Sequence, residues 1–541
     1  MNSHNETYRF GSARWANEDE VRDAGLFAKS GPQIGYWERT PLRFESDAPM
    51  LTIGGAGSGK TRDLLAYAVC NSPGQRMAIM DPRGELAAIS MIAHAHHREH
   101  AYTWNPMRIA GLPSHSCNPL DILDPAALTF HSDCKFIAES LIPLSGSANG
   151  HYFELRAREW LEALLKHHVE RHGRITLPDL ARLIDTIEAN PQAWADQLSA
   201  MLASAHDSVR RAAGEMLVKQ QDSPKEFGAI LGEIYAHTSF LSDPVLLPAL
   251  DGGDFSLSVL TDPAHAVKVF FNVPAEYLGL WSPLIRLFFT VTMLYKSRAP
   301  DRPRILLLVD EAGQLGRFEA LLRAFTYGRG AGVRAWAIFQ DVGQIVRNFD
   351  RSALQGFLGS AQMRQFFGVR DYETAELVSS MLGQETLSYD DTLAQGEARM
   401  KKQAIAWHLL DGQSPFDIAH EYAHLSKASV HRTKQQRPLM TPDEILSLPE
   451  DRQILFVSGH NLPPLLAWKH PYFSRQARCE MAGKFLPNPY HPPTDHIRIP
   501  TAIFSRWARV VTEPVPAAFA DFPQYREGMW SYVRGWEPRV C

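Results

Sequence analysis

Eight consecutive residues have the types and the spacing of a phosphate-binding loop. Two glycines bracket four residues and are followed by a lysine and a threonine. The glycines allow a tight turn that points backbone N–H groups at phosphate oxygens, the lysine adds a positive charge there, and the threonine hydroxyl can bind Mg²⁺. The residues that we expect to bind the nucleotide are Gly54, Gly55, Ala56, Gly57, Ser58, Gly59, Lys60 and Thr61.

The residues on either side of this loop support the same prediction. Residues 50–53 indicate a short buried strand that runs into the loop, and residues 63–68 indicate the start of a helix. A helix that begins there adds the positive end of its dipole to an anion site. The alternative is a glycine-rich turn that ends in Lys-Thr by chance, and the strand–loop–helix order argues against it. We therefore expect a site for a nucleoside triphosphate, with ATP and Mg²⁺ as its ligands.

A second candidate group follows the apolar run at residues 305–309, where Asp310 and Glu311 come directly after five aliphatic residues. A strand of this kind is buried on both faces and delivers Asp310 to its end, where the carboxylate can hold Mg²⁺. Glu311 can then act as the general base on the attacking water. Two adjacent acids can also mark a helix N-terminus. The upstream phosphate loop favours the Walker B interpretation.

A third candidate, Gln340, follows the predicted strand at residues 334–339. Its amide can contact the γ-phosphate or orient water, and the simpler alternative is an amide that only caps the strand. Between these two strands, Arg329 lies in a loop between glycines. Asp81 and Glu85 follow another predicted strand, at the carboxyl end where open α/β sheets keep their ligand sites.

The elements that must position these residues indicate an α/β nucleotide-binding domain interrupted by helices. Apolar strand-like runs precede residue 125 and resume at residue 266, whereas helical spacing of apolar residues dominates between them. The units that we predict are an N-terminal arm (1–45), the first part of the nucleotide-binding domain (46–124), an all-α insertion (125–250), the second part of that domain (251–475) and a C-terminal tail (476–541).

Composition excludes few functions. The formal net charge of −5 argues against a generally basic nucleic-acid binder but not against a basic lining on one face. The five cysteines have no metal-ligand spacing and suit a reducing cytosol. Acidic residues in the first thirty positions exclude a signal peptide, and Pro283 and Arg286 interrupt the most apolar stretch, which we interpret as a buried amphipathic helix rather than a membrane span.

Two segments leave alternatives open. Residues 388–437 are polar and locally basic, which fits a solvated loop or a nucleic-acid contact. The tail after residue 490 contains many prolines and aromatic residues, so its apolar content is too high for plain disorder. It either wraps the core or docks a partner.

Eight motifs in one order resemble those of the type IV secretion coupling proteins, the TraG/TraD-like ATPases of conjugation. The first four are Gly54–Thr61, Asp81-Pro82-Arg83-Gly84-Glu85-Leu86, Asn118-Pro119-Leu120-Asp121, and Asp310-Glu311 with Leu315-Gly316. The other four are Gly328-Arg329-Gly330 with Gly332, Phe339-Gln340-Asp341, Asp371 with Thr374-Ala375-Glu376, and Arg437-Pro438-Leu439. The phosphate loop alone is unspecific, but the ordered series spans about residues 10–475.

The resemblance implies a RecA-like P-loop motor domain with an inserted all-α domain, assembled as a homo-hexameric ring. It implies ATP hydrolysis coupled to the transfer of relaxase-bound single-stranded DNA, or of secreted proteins, to a type IV secretion channel. Glu311 would be the general base, Gln340 the γ-phosphate sensor and Arg329 a finger toward a neighbouring subunit's site.

One departure from the family concerns the membrane. Most members begin with two transmembrane helices, and this sequence shows none. We therefore expect a cytoplasmic protein held at the inner membrane by partners, among them the secretion ATPases and inner-membrane components. Two alternatives remain: a cytosolic DNA motor or helicase unconnected to secretion, and a nucleotide-dependent adaptor that recruits substrates without pumping DNA.

Overall fold

The computed structural model describes residues 11–144, 150–389, 392–408, 423–426, 433–474, 476–490, 496–500, 505–521 and 528–533. The strands in these residues are β1 (Gln33–Trp37), β2 (Thr40–Arg43), β3 (Met50–Gly54), β4 (Arg76–Pro82), β5 (His100–Trp104), β6 (Val267–Val273), β7 (Ile305–Val309), β8 (Val333–Phe339), β9 (Met363–Phe367), β10 (Gln384–Tyr389), β11 (Thr433–Pro438), β12 (Arg452–Val457), β13 (Leu465–Trp468), β14 (His496–Pro500), β15 (Ser505–Pro514) and β16 (Met529–Val533).

The α-helices of the same residues are numbered in chain order. They are α1 (Glu18–Asp23), α2 (Ala66–Cys70), α3 (Glu85–His97), α4 (Phe130–Leu141), α5 (His151–His172), α6 (Leu177–Ala189), α7 (Pro191–Leu202), α8 (Asp207–Asp222), α9 (Pro224–Thr238), α10 (Leu247–Leu250), α11 (Ser282–Arg298), α12 (Glu319–Tyr327), α13 (Val342–Asn348), α14 (Arg351–Ser360), α15 (Tyr372–Leu382), α16 (Thr392–His408), α17 (Pro442–Leu446) and α18 (Arg478–Met481). None of them is long and apolar enough to cross a membrane.

One large sheet carries the candidate residues. Its eleven strands lie in the order β2-β1-β13-β12-β9-β3-β8-β7-β4-β6-β5. The seven strands from β9 to β5 are parallel. Strands β3, β7 and β8 are buried along their whole length, which explains their continuous aliphatic sequences. Because they are neighbours in the sheet, the residues that follow them meet at one edge.

The other four strands of this sheet come from both ends of the chain. Strand β12 pairs antiparallel with β9, and β13, β1 and β2 continue the sheet in antiparallel order. Residues 33–43, which the sequence assigned to an N-terminal arm, therefore lie in the same sheet as the phosphate-loop strand. The boundary at residue 45 stays a prediction.

Between β5 and β6 the described residues contain helices and no strand. The apolar residues at helical spacing on α5, such as Trp160, Leu161 and Leu164, are buried in the core. After this segment, α11 begins at Ser282 with Pro283 in its first turn, so the proline starts this helix rather than interrupting it. The limits of the inserted domain, 125 and 250, stay predictions.

The segments left open by the sequence are partly described. Strands β10 and β11 form an antiparallel pair on either side of α16, and Lys434 and Arg437 lie on β11. Lys427, His431 and Arg432 lie outside the described residues. In the tail, β14, β15 and β16 form a small antiparallel sheet in which the Phe519 and Trp530 rings stack with centroids 5.7 Å apart.

Candidate nucleotide-binding and hydrolysis site

The predicted phosphate loop follows β3 at the carboxyl edge of the large sheet. Gly57 and Gly59 have φ values of 70° and 83°, a region that side-chain-bearing residues rarely adopt. A Cβ atom on Gly59 would lie 2.2 Å from Asp63 Oδ2, so this position also lacks room for a side chain. The chain then forms a single π-helical stretch, Lys60–Leu65, that continues directly into α2.

Lys60, Glu311 and Gln340 meet at this edge. The Lys60 ammonium donates to the Gly54 carbonyl oxygen at 3.1 Å and lies 3.2 Å from Glu311 Oε1. The Gln340 side-chain amide donates to Glu311 Oε2 at 2.8 Å. The three residues follow β3, β7 and β8, so the order of the strands brings them together. Gln340 contacts a partner residue of the predicted site and does more than cap its strand.

Asp310 and Asp81 form an electrostatic pair beside these residues. Both carboxyls are buried. Burial is the main cause that raises the pKa of Asp310 to about 7, with a smaller contribution from the charge of Glu311 and an opposing effect of Lys60. Burial is also the main cause that raises the pKa of Asp81 to about 7; the charge of Asp310 acts in the same direction, and hydrogen bonds from the backbone N–H groups of Ala87 and Leu86 oppose it. Both shifts disfavour the ionised carboxylates, and a bound cation would stabilise that ionised form.

The residues present fit ATP and Mg²⁺. Ser58 Oγ is buried without a hydrogen-bond partner among the described residues, as expected for a hydroxyl in a loop built around a ligand. The hydroxyl of Thr61 and the carboxylate of Asp310 are hard oxygen donors of the kind that Mg²⁺ prefers. The ion pair between their chain neighbours, Lys60 and Glu311, brings the two chain segments that carry these donors together.

Arg329 is not part of this cluster. Its guanidinium lies 2.8 Å from Asp47 Oδ1, and Arg304 contacts the other oxygen of Asp47 at 3.1 Å. Asp47 precedes β3 whereas the phosphate loop follows it, so Arg329 lies at the opposite edge of the sheet. The side chain is exposed. It cannot act on the phosphates of its own subunit in this arrangement.

Sequence reasoning missed Lys469 and Arg370. The Lys469 side chain is buried, donates to the Ser58 carbonyl oxygen at 2.8 Å and lies 3.7 Å from Asp63 Oδ2. Burial lowers its pKa to about 8. The Arg370 side chain extends along the loop, with Nη2 3.9 Å from the place of a Cβ atom on Gly57. Arg370 lies three residues after β9 and Lys469 directly after β13, so a basic residue close to the end of a strand was the available signal for both.

Two other motif residues have structural contacts. Asn118 holds its turn through the N–H of Leu120 at 3.1 Å and donates to the Ile175 carbonyl at 2.9 Å, which joins the turn to the helical segment. Asp371 caps α15 through the N–H of Thr374. These contacts explain the residue types without a ligand.

Comparisons with known proteins agree with the fold. The family described as "Type IV secretory system Conjugative DNA transfer" matches residues 6–489. The conjugal transfer protein TraG of Escherichia coli is 22% identical over 531 residues, covering 87% of this chain and 78% of TraG. Protein VirD4 of Agrobacterium fabrum is 24% identical over 502 residues, covering 88% of this chain and 68% of VirD4.

Solved structures show the same fold. The bacterial conjugative coupling protein TrwBdeltaN70 superimposes with a TM-score of 0.58 at 18% identity, over 85% of this chain and 93% of that one. TrwB in complex with the ATP analogue ADPNP gives a TM-score of 0.56 at 17% identity, over 85% of this chain and 93% of that one. The α/β, RecA-like P-loop fold predicted from the sequence is confirmed. The chain belongs to the type IV secretory system conjugative DNA transfer family.

Proposed function

We propose that this protein is an ATP-hydrolysing coupling protein that brings relaxase-bound single-stranded DNA, or secreted proteins, to a type IV secretion channel and drives their transfer. The observation that carries the proposal is the contact of Lys60, Glu311 and Gln340 at the end of three adjacent strands. A cation, a carboxylate and an amide in this arrangement suit the positioning and activation of water beside a triphosphate. The family membership supplies the transport context.

Each residue of the site has a defined task in this proposal. The phosphate-loop N–H groups and Lys60 hold the phosphates, and Thr61 and Asp310 hold Mg²⁺. Bound Mg²⁺ supplies positive charge to the phosphate oxygens. Glu311 accepts the proton of the attacking water, and Gln340 orients Glu311 and the water through its amide. Lys60 lies 3.2 Å from Glu311, so a shift of the ammonium toward the phosphates would free the carboxylate for catalysis.

Assembly would complete the motor. Arg329 points away from its own phosphate loop and is exposed, which is the placement required of a finger that reaches a neighbouring subunit. We propose a homo-hexamer, the assembly that the family resemblance implies, and we expect it to form on ATP and single-stranded DNA. Partners such as the secretion ATPases and inner-membrane components would hold this assembly at the membrane.

The decisive experiment combines ATPase rates with a pull-down. Single-stranded DNA should raise the ATPase rate of the wild-type protein, whereas the Glu311→Gln variant should remain inactive with or without DNA. The same immobilised variant, loaded with ATP, should retain a relaxase–DNA complex and secretion ATPases. DNA stimulation without capture of these partners would indicate a free DNA motor. Partner capture combined with no ATPase activity of the wild-type protein would indicate an adaptor.

The helices between β5 and β6 are the proposed cargo-recognition part. They form one continuous apolar core with the motor, to which α4 and α5 contribute. Their removal exposes part of this core, but the phosphate loop, Asp310 and Gln340 lie outside residues 125–250. Replacing that segment by a short linker should spare nucleotide binding and abolish capture of relaxase complexes. Undiminished capture by the deleted protein would refute this assignment, and measured nucleotide affinity controls for misfolding.

A further inference from the structure

A half-enclosed cavity of about 400 Å³ lies away from the nucleotide site, between the helical segment and the motor. Residues of α4, α5, α11 and the stretch that leads into α12 line it. The sequence motifs do not include this cavity, and the proposed hydrolysis mechanism does not use it. Its volume is in the range that accommodates a drug-sized molecule or a few side chains of a peptide.

The charge of its lining is unbalanced. Four arginines and two glutamates line the cavity: Arg158, Arg286, Arg317, Arg323, Glu139 and Glu319. Glu319 is already paired with Arg317 at 2.6 Å. Arg286 and Arg323 have no ion-pair partner among the described residues. The lining therefore has two more arginines than glutamates, and the buried Glu154 beside Arg158 offsets part of this excess of positive charge.

Arg286 is the most unusual of these cations. Its side chain is only 7% exposed, and its guanidinium donates to the Leu315 carbonyl at 2.8 Å and to Ser282 Oγ at 3.2 Å. Burial lowers its pKa to about 10. A buried guanidinium has five N–H donors, and neutral oxygens compensate its charge poorly. An anionic group that enters the cavity would compensate the positive charge of the Arg286 guanidinium.

Apolar side chains share the lining with the arginines. Phe136 packs under the Arg323 guanidinium, which lies 5.8 Å from the ring centroid, and Leu144 and Phe318 add further apolar surface. A free inorganic anion would leave this surface unused. An acidic peptide places carboxylates and apolar side chains within the same few residues, so it uses both parts of the lining.

We propose that this cavity binds an acidic peptide segment of a partner protein, with two carboxylates on the arginines and apolar neighbours on Phe136, Leu144 and Phe318. The inference goes beyond the proposed function, since it holds whether or not DNA is the transported cargo. The exposed Arg323 would form the entrance and Arg286 the buried end of the site. The site also lies next to the turn that follows Asp310 and Glu311, because Leu315 belongs to that turn.

Fluorescence anisotropy with the full chain tests the proposal. The probes are labelled, end-capped peptides with two glutamates separated by one to four leucines, together with the same peptides in which glutamine replaces glutamate. At least one glutamate peptide should bind, and its glutamine counterpart should bind at least about tenfold more weakly, since charge-assisted hydrogen bonds dominate the contact. Absence of binding by the whole set, or equal binding of both kinds, would overturn the proposal.

Variants locate the binding. Arg323→Glu should raise the Kd for the glutamate peptide at least about tenfold, while Arg323→Lys should retain most of the affinity. Arg211→Glu makes the same charge change at an exposed position of α8 outside the cavity and should leave the Kd unchanged. Equal effects of Arg323→Glu and Arg211→Glu would overturn the assignment. Displacement of the peptide by inorganic phosphate or a single-stranded oligonucleotide at matched ionic strength and comparable concentration would overturn the peptide as occupant.

Discussion

Replacing Glu311 by glutamine should tighten ATP binding and slow ATP hydrolysis. The substitution keeps the shape of the side chain and can keep the hydrogen bond with Gln340, but it removes the charge that holds the Lys60 ammonium at 3.2 Å. In the variant, the Gly54 carbonyl oxygen is the remaining partner of the Lys60 ammonium among the described residues. Moving this ammonium to the phosphates should therefore cost less free energy in the variant than in the wild type.

The size of the effect follows from the burial of the pair. The Lys60 side chain is 9% exposed and the Glu311 side chain 23%, so the ion pair lies between the exposed and the buried cases. A net contribution of about 1 kcal/mol is reasonable for such a pair. We therefore expect the Kd for ATP to fall about fivefold. Removing the negative charge of Glu311 near the phosphates should also lower the Kd for ATP. Turnover should fall about 10²-fold or more, because the general base is lost.

Titration calorimetry with a non-hydrolysable ATP analogue measures the affinity of wild type and variant under identical conditions. Gln340→Ala is the matched control, since it leaves the Lys60–Glu311 pair in place and should lower turnover without tightening binding. Glu373→Gln, an equal charge change on α15, should alter neither. A Kd for Glu311→Gln that equals or exceeds that of the wild type would refute the competition between Glu311 and the phosphates for Lys60.

Three further substitutions test other parts of the molecule. Arg329→Ala should lower the ATPase rate of the assembled protein far more than that of the monomer, as measured by rates paired with sedimentation; equal losses would exclude a finger. Gly59→Ala should lower the melting temperature and abolish ATP binding, because the φ of Gly59 is 83° and the new Cβ would clash with Asp63. Gly214→Ala is the control: its new Cβ would meet open space, so neither the melting temperature nor ATP binding should fall. Lys469→Met tests pH dependence: burial lowers the pKa of Lys469 from 10.5 to about 8, so the folded state binds fewer protons and wild-type stability should rise between about pH 8 and 10.5. The urea midpoint of unfolding should rise less with pH in Lys469→Met than in the wild type. An equal rise in both proteins would contradict the argument that burial lowers the pKa of Lys469.

Sequence reasoning was strongest where one strand delivers one side chain to the site. The mostly apolar sequences of β3, β7 and β8 lead directly into the phosphate loop, Asp310 and Gln340, as expected of parallel strands that are buried on both faces. The edge strand β2 and its neighbour β1 lack this pattern. Strand β2 begins with an exposed and a half-buried residue, and β1 contains Gly35, so neither sequence resembles a core strand.

The contacts that the sequence could not predict join distant parts of the chain. Lys469 follows β13, more than four hundred residues after Ser58, and reaches the loop only because β13 pairs with β12 and β12 with β9 beside β3. The burial of Arg286 likewise depends on contacts that the sequence could not predict. The sequence showed it as a charge that interrupts an apolar stretch, and only the packing of α11 against the turn at Leu315 gives it a partner.

The placement of the cations around the phosphate loop has a consequence for control of hydrolysis. Lys60 forms an ion pair with Glu311, while Lys469 contacts the loop backbone and Arg370 lies along it. On the proposed mechanism, phosphates attract Lys60 away from Glu311, and the carboxylate then retains the hydrogen bond from Gln340 alone. The general base thus becomes free only when the triphosphate is bound. Activation of water and recognition of nucleotide are then one event, controlled by a single lysine.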